Sequence, residues 1–217
     1  MRRIDPFLAV SLGAVAFAVA LSLQFRARRY VPWVYWLAVS MVSVFGTMAA
    51  DVVHIGFGVP YAVSTVFFAV ALAAVLGVWY RSERTLSIHS IHTPRREFFY
   101  WATVLTTFAL GTAAGDLTAS TMRLGYFASG VLFAVVIAVP ALAHWRFGLN
   151  PVVAFWGAYI VTRPLGASFA DWLGVPPSRR GLDFGTGPVT LVLAAAIAVL
   201  VGYLTITPAR AASEAPE

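Results

Sequence analysis

Long apolar runs separated by short polar clusters dominate this chain. Seven runs come near or exceed the roughly 20 residues that a helix needs to cross a bilayer core. They are Phe7–Phe25, Val31–Gly56, Pro60–Tyr80, Phe98–Met122, Tyr126–Trp145, Pro151–Leu173 and Gly187–Ile206. Pro32, Pro60, Pro151 and Pro188 stand where runs begin, a place where the N–H that proline lacks has no helical partner anyway. The longest connection is Arg81–Glu97, and the small, polar tail 208–217 is predicted to be disordered. The pattern predicts an all-α polytopic transmembrane bundle, one domain over 1–207.

The apolar runs repeat. An aromatic-Trp pair is followed ten residues after the Trp by Gly, and five residues later by Asp. The copies are Tyr35-Trp36, Gly46, Asp51; Tyr100-Trp101, Gly111, Asp116; and Phe155-Trp156, Gly166, Asp171. Each copy is followed by a second run, and Ser64, Phe68-Ala69 and Ser129, Phe133-Ala134 share a spacing within two of those. The repeat unit is therefore a helix pair: a partial unit over 1–25, then 31–80, 98–145 and 151–206. That makes about three and a half copies. A residue four positions beyond each Gly is also small (Ala50, Gly115, Ala170), a pattern that lets helix backbones approach closely.

Composition agrees. The chain is 60% hydrophobic and 11% charged, against about a quarter charged in soluble domains. Cysteine is absent, so disulfides and thiolate metal sites are excluded. Every basic side chain other than histidine is Arg; without Lys a retinal Schiff base is excluded despite the seven spans. Arg26, Arg28, Arg29, Arg81, Arg84, Arg95, Arg96, Arg146 and Arg210 fall at one end of the runs, and Arg2, Arg3, Arg123, Arg179 and Arg180 at the other. The bias predicts a multi-pass inner-membrane protein, with its N-terminus outside and its C-terminus cytoplasmic. The net charge of +6 is then an orientation signal, not a nucleic-acid surface. Arg2 and Arg3 precede a run too long for a usual signal peptide, so a retained helix is expected there. Trp36, Trp101 and Trp156 are expected at the cytoplasmic interface, as an aromatic belt.

The segments Arg29-Tyr30-Val31-Pro32-Trp33-Val34-Tyr35-Trp36, Gly111-Thr112-Ala113-Ala114-Gly115-Asp116 and Arg163-Pro164-Leu165-Gly166-Ala167-Ser168 carry a resemblance over nearly the whole chain. They resemble bacterial integral-membrane proteins made of four tandem two-helix repeats of unknown function with a characteristic Trp. The resemblance implies eight spans, and this chain departs from it by lacking the first. It implies an architecture, and no reaction or substrate.

The candidate chemistry lies at the repeated acids. An ionisable group within a span is costly and commonly functional. On a helix, Asp51 falls on the face of Trp36 and Thr47, about 22 Å from the Trp. Asp51, Asp116 and Asp171 are therefore expected to form a ring near the outer side. Carboxylates crowded in a low dielectric do not all ionise without a cation. The ring would take up protons or a metal cation, or neutralise an Arg. Thr47 and Thr112, one turn before their Asp, are expected to add oxygen ligands or hold the carboxylates. His54, three residues after Asp51, is a candidate co-ligand, present in one copy only. A structural reading stands beside this one, because an Asp near a helix end also satisfies turn backbone.

Arg163 breaks the repeat, since the matching positions are Ser43 and Phe108. Within a span it must meet a carboxylate, a carbonyl or water. Asp171 is about 12 Å along the same helix, so a cavity or an Asp of another copy is expected. Pro164 removes a backbone hydrogen bond and is expected to kink the helix. His89 and His92 fall in a surface loop. No catalytic or nucleotide motif is present, and an enzyme is not expected. Two functions follow. One is transport of a small solute or cation, coupled through the acids with Arg163 as charge partner. The other is a scaffold, sensor or assembly protein whose buried charges fix packing. The partners expected are the lipid bilayer, a small ion or solute and a second copy of the chain. A bound metal cation is the one cofactor candidate.

Overall fold

The computed structural model describes residues 6–27 and 29–207. Arg2, Arg3, Arg28, Arg210 and the tail 208–217 lie outside them. Seven α-helices follow one another: α1 (Pro6–Arg26), α2 (Pro32–Asp51), α3 (Tyr61–Glu83), α4 (Pro94–Asp116), α5 (Tyr126–Phe147), α6 (Pro151–Gly174) and α7 (Thr186–Ile206). Among the described residues there is no strand.

Local chemistry sets the boundaries. Proline occupies the first turn of α2, α4 and α6. Asn150 accepts the N–H groups of Val152 and Val153 at the start of α6. Thr93 caps α4 by accepting from Arg96 N–H. That cap starts α4 at Pro94, earlier than the apolar pattern predicts. The charged turn is stable because Arg96 donates to Glu83 at 2.8 Å and Arg95 pairs with the same carboxylate at 3.5 Å. Arg84 and Gly148 end α3 and α5 in the left-handed conformation.

Among the described residues, six helices are long and apolar enough to cross a membrane. The seventh expected span, α6, does not reach that hydropathy. Its length suffices, but it carries Thr162, Arg163, Ser168 and Asp171. It also runs as a helix through Pro164. Pro164 is buried against α4: a Cβ on Gly111 would lie 2.9 Å from its Cδ.

The first helices of the three repeats form the interior. α4 packs between α2 and α6. The second helices lean on the following copy: α3 on α4 and α5 on α6, as α1 does on α2. α7 lies against α6 and α2 with no buried residue.

Two repeated glycines make the interior contacts. A Cβ on Gly46 would lie 2.7 Å from Phe108 Cβ and 3.2 Å from the Leu105 carbonyl oxygen. A Cβ on Gly111 would lie 2.5 Å from Arg163 Cγ. Phe108 and Arg163 are equivalent positions of successive copies, so each Gly receives the same register position of the next. Gly166 has nothing within 4 Å.

Trp101 and Trp156 depart from the expected interfacial belt, whereas Trp36 is half-buried. Trp101 and Trp156 are buried around Trp79, with Tyr100, Ala38, Val42 and Val104. Trp156 donates to the Leu86 carbonyl at 2.9 Å, which ties α6 to the 84–93 connection. The repeat turns these rings toward the bundle axis, where they pack on one another (Trp79 and Trp156 at 5.8 Å, edge-on).

Candidate functional site

Following α2, α4 and α6 from their Trp ends to their Asp ends passes three cavities. The first, about 810 Å³, lies at the Trp end under the 84–93 connection and includes Gln24, Arg29, Tyr35, His92, Glu97 and Tyr100. The second, about 200 Å³, is lined by Tyr35, Trp36, Val39, Thr107, Phe108, Tyr159, Thr162 and Arg163. The third, about 270 Å³, is lined by Thr47, Asp51, Thr112, Asp116, Tyr126, Arg163, Ser168 and Asp171, with small residues between them. Tyr35 is shared by the first two cavities and Arg163 by the last two. From Tyr100 to Asp116 the series follows α4 for about 24 Å, at 1.5 Å per residue.

The three repeated carboxylates therefore come to one chamber, one from each interior helix. The repeat register makes this inevitable once the three helices pack side by side in parallel. Asp51, Asp116 and Asp171 are all half-buried. The chamber is not a ligand shell: among the described residues no three His, Cys, Asp or Glu side chains are grouped closely enough to hold a metal ion.

Asp51 and Asp116 share a backbone device. Each is the last α-helical residue before a π-helical turn, Val52–Gly56 and Leu117–Thr121. Such turns widen the helix and recur at functional sites. Asp171 lacks it; α6 continues to Gly174, and the Asp171 carbonyl accepts from Val175 N–H.

His54 lies within the first π turn. Its Nδ1 is hydrogen-bonded to the Val59 carbonyl, and its ring stacks on Tyr61 at 3.3 Å. With Tyr61 it closes a crevice behind Asp51 and Asp116 that has no room for water. His54 therefore holds the turn and lines that crevice rather than the chamber.

Arg163 is held otherwise than expected. Its Nη2 donates to Thr47 Oγ1 at 2.6 Å and to Thr112 Oγ1 at 3.4 Å. Its guanidinium carbon lies 5.4 Å from the centre of the Phe108 ring. Among the described residues it makes no ion pair with a carboxylate, and its buried Nε has no partner. The threonines serve Arg163 instead of the acids. Each donates its own proton to a carbonyl one turn back, Thr47 to Ser43 and Thr112 to Phe108, which leaves lone pairs for the guanidinium. Arg163 thus joins all three repeats and stands as the partition between the two inner cavities.

Three features escaped the sequence reading. Tyr35 and Tyr100 share a 2.6 Å hydroxyl contact between the first two cavities. Tyr126 lines the chamber, and its hydroxyl accepts from Arg179. Ser168 is 1% exposed, its Oγ has no partner, and it lines the chamber. Its equivalents are Met48 and Ala113, so comparing the copies was the signal that could have found it. His89 and His92 lie in the 84–93 connection, and His92 lines the first cavity.

Fold and chamber define a class: an all-helical, membrane-type protein of tandem helix pairs, with acids from three copies and one Arg in its interior. The chain belongs to the family described as Repeat of Unknown Function (DUF347), whose pattern matches residues 34–85, 99–149 and 154–209. No curated protein and no solved structure matches the chain.

Proposed function

We propose that this protein moves a small solute or cation across the cytoplasmic membrane, with the acidic chamber as binding site and Arg163 as the partition that must yield. One observation carries the reading: acids of all three repeats line one cavity between α2, α4 and α6, and Arg163 stands between it and a second cavity lined by the same three helices. A purely structural core would be filled, because interiors pack to crystal density. Sites at repeat interfaces suit transporters, and acids within spans mark ion and proton paths. In this reading the Trp end faces the cytoplasm, the N-terminus lies outside, and the protein performs no covalent chemistry.

Flux into proteoliposomes tests it. Asp51→Asn, Asp116→Asn and Asp171→Asn are expected to lower solute or proton flux at least tenfold while the protein stays folded. Unchanged flux in all three overturns the reading.

A second reading rests on the Arg163 contacts. A guanidinium bonded to hydroxyls of two other repeats fixes helix register as well as it divides cavities. If Arg163→Gln unfolds the protein while the Asp variants have no effect on flux, the protein is a scaffold or sensor.

A further inference from the structure

We propose that the chamber binds a small polyatomic cation bearing several N–H donors, of the alkylammonium or guanidinium class, and that Ser168 Oγ accepts one of those hydrogens. The inference rests on the chamber being a binding site, and it goes beyond that reading to the class of ligand. The chamber is rich in acceptors. Three carboxylates face it, whereas the Nη2 of Arg163 is already given to Thr47 and Thr112. With all four groups ionised the formal charge is −2, so an occupant gains by being positive. The carboxylates are not grouped for a metal ion. A hard cation wants six to eight oxygens at about 2.3–2.6 Å. An ion whose N–H groups point in different directions reaches dispersed acceptors that a monatomic ion cannot. A volume of about 270 Å³ holds such an ion together with water, whose share of liquid volume is about 30 Å³ per molecule.

Ser168 is the independent observation. It is 1% exposed, and its hydroxyl has no partner although it lines the chamber. A buried hydroxyl without a partner is costly, and native structures seldom leave one so. Its Oγ stands on the turn between Arg163 and Asp171, where an occupant bonded to Asp171 comes within reach.

The test is calorimetric titration of the full chain in nanodiscs with guanidinium, methylammonium, tetramethylammonium and Mg²⁺ chlorides at matched ionic strength. Saturable binding of guanidinium or methylammonium is expected. Tetramethylammonium, which has the charge and no N–H, and Mg²⁺ are expected not to compete. Ser168→Ala, which leaves the packing nearly unchanged, is expected to weaken binding about 5-fold to 10-fold, and Asp116→Asn to abolish it. Equal binding of tetramethylammonium, displacement by Mg²⁺, or full affinity in Ser168→Ala overturns the proposal. Its failure is separable from that of transport. Guanidinium that binds without crossing liposomes leaves this inference standing and removes transport. Asp-dependent flux of another solute, with no N–H cation bound, does the reverse.

Discussion

Arg163 Nη2 lies 2.6 Å from Thr47 Oγ1, joining α6 to α2 although α4 packs between them. The bond spans 116 positions of sequence. Away from water, a guanidinium with few acceptors depends heavily on each one.

Removing the acceptor is therefore expected to cost about 1.5–3 kcal/mol, the usual range for a hydrogen bond to a charged group. Thr47→Val should show this loss in chemical unfolding of the detergent-solubilised protein, and Thr47→Ser should restore most of it. Equal stability of Thr47→Val and wild type would mean that the guanidinium has another support.

The glycines predict a graded response. Gly46→Ala puts a methyl group 2.7 Å from Phe108 Cβ, and Gly111→Ala puts one 2.5 Å from Arg163 Cγ. Overpacking of this kind costs about 1–3 kcal/mol. Gly166→Ala meets nothing within 4 Å, and gains up to about 1 kcal/mol of helix propensity. Melting temperatures should fall for the first two variants and hold or rise for the third, although all three change the same position of the repeat.

The chain contains no cysteine, so single cysteines report access without background. Ala167→Cys faces the chamber and Thr107→Cys the cavity beyond Arg163. A membrane-impermeant thiol reagent should modify the first from the Asp side and the second from the Trp side. In an Arg163→Ala background each should react from both sides. Unchanged sidedness there would show that Arg163 is not the partition.

His54 gives a contrasting expectation. Its ring stacks on Tyr61 and its Nδ1 binds the Val59 carbonyl. His54→Phe keeps the stacking and loses the bond, at a cost of about 0.5–1.5 kcal/mol. Flux or ligand affinity should stay within about twofold of wild type in the folded variant. A larger functional loss would move His54 into the chamber's chemistry.

The positions of the acids could be read from the chain because spacing within a helix is rigid. Ten residues from Trp to Gly and five to Asp put Asp51, Asp116 and Asp171 at one level wherever their helices lie side by side. The role of Thr47 could not be read in that way. Its neighbour on the same helix is Asp51, one turn on, but its partner is Arg163, 116 residues away. Spacing describes contacts along one helix and is blind to contacts between helices. The same blindness put Trp101 and Trp156 at a lipid interface: depth follows from position in a span, but the direction a ring faces depends on the neighbouring helix.

What the sequence determined alone was periodicity: apolar runs long enough to cross a bilayer, their tandem copies, and one carboxylate per copy. These follow from helix rise and from the cost of leaving apolar or charged groups in the wrong solvent, which are local quantities. Only the tertiary structure decided what the carboxylates face. It set α4 between α2 and α6, gave Arg163 to two threonines rather than to an acid, and left Ser168 buried beside the acids without a partner. Those outcomes depend on which helices meet and how closely, and glycine contacts such as Gly111 on Arg163 set that distance.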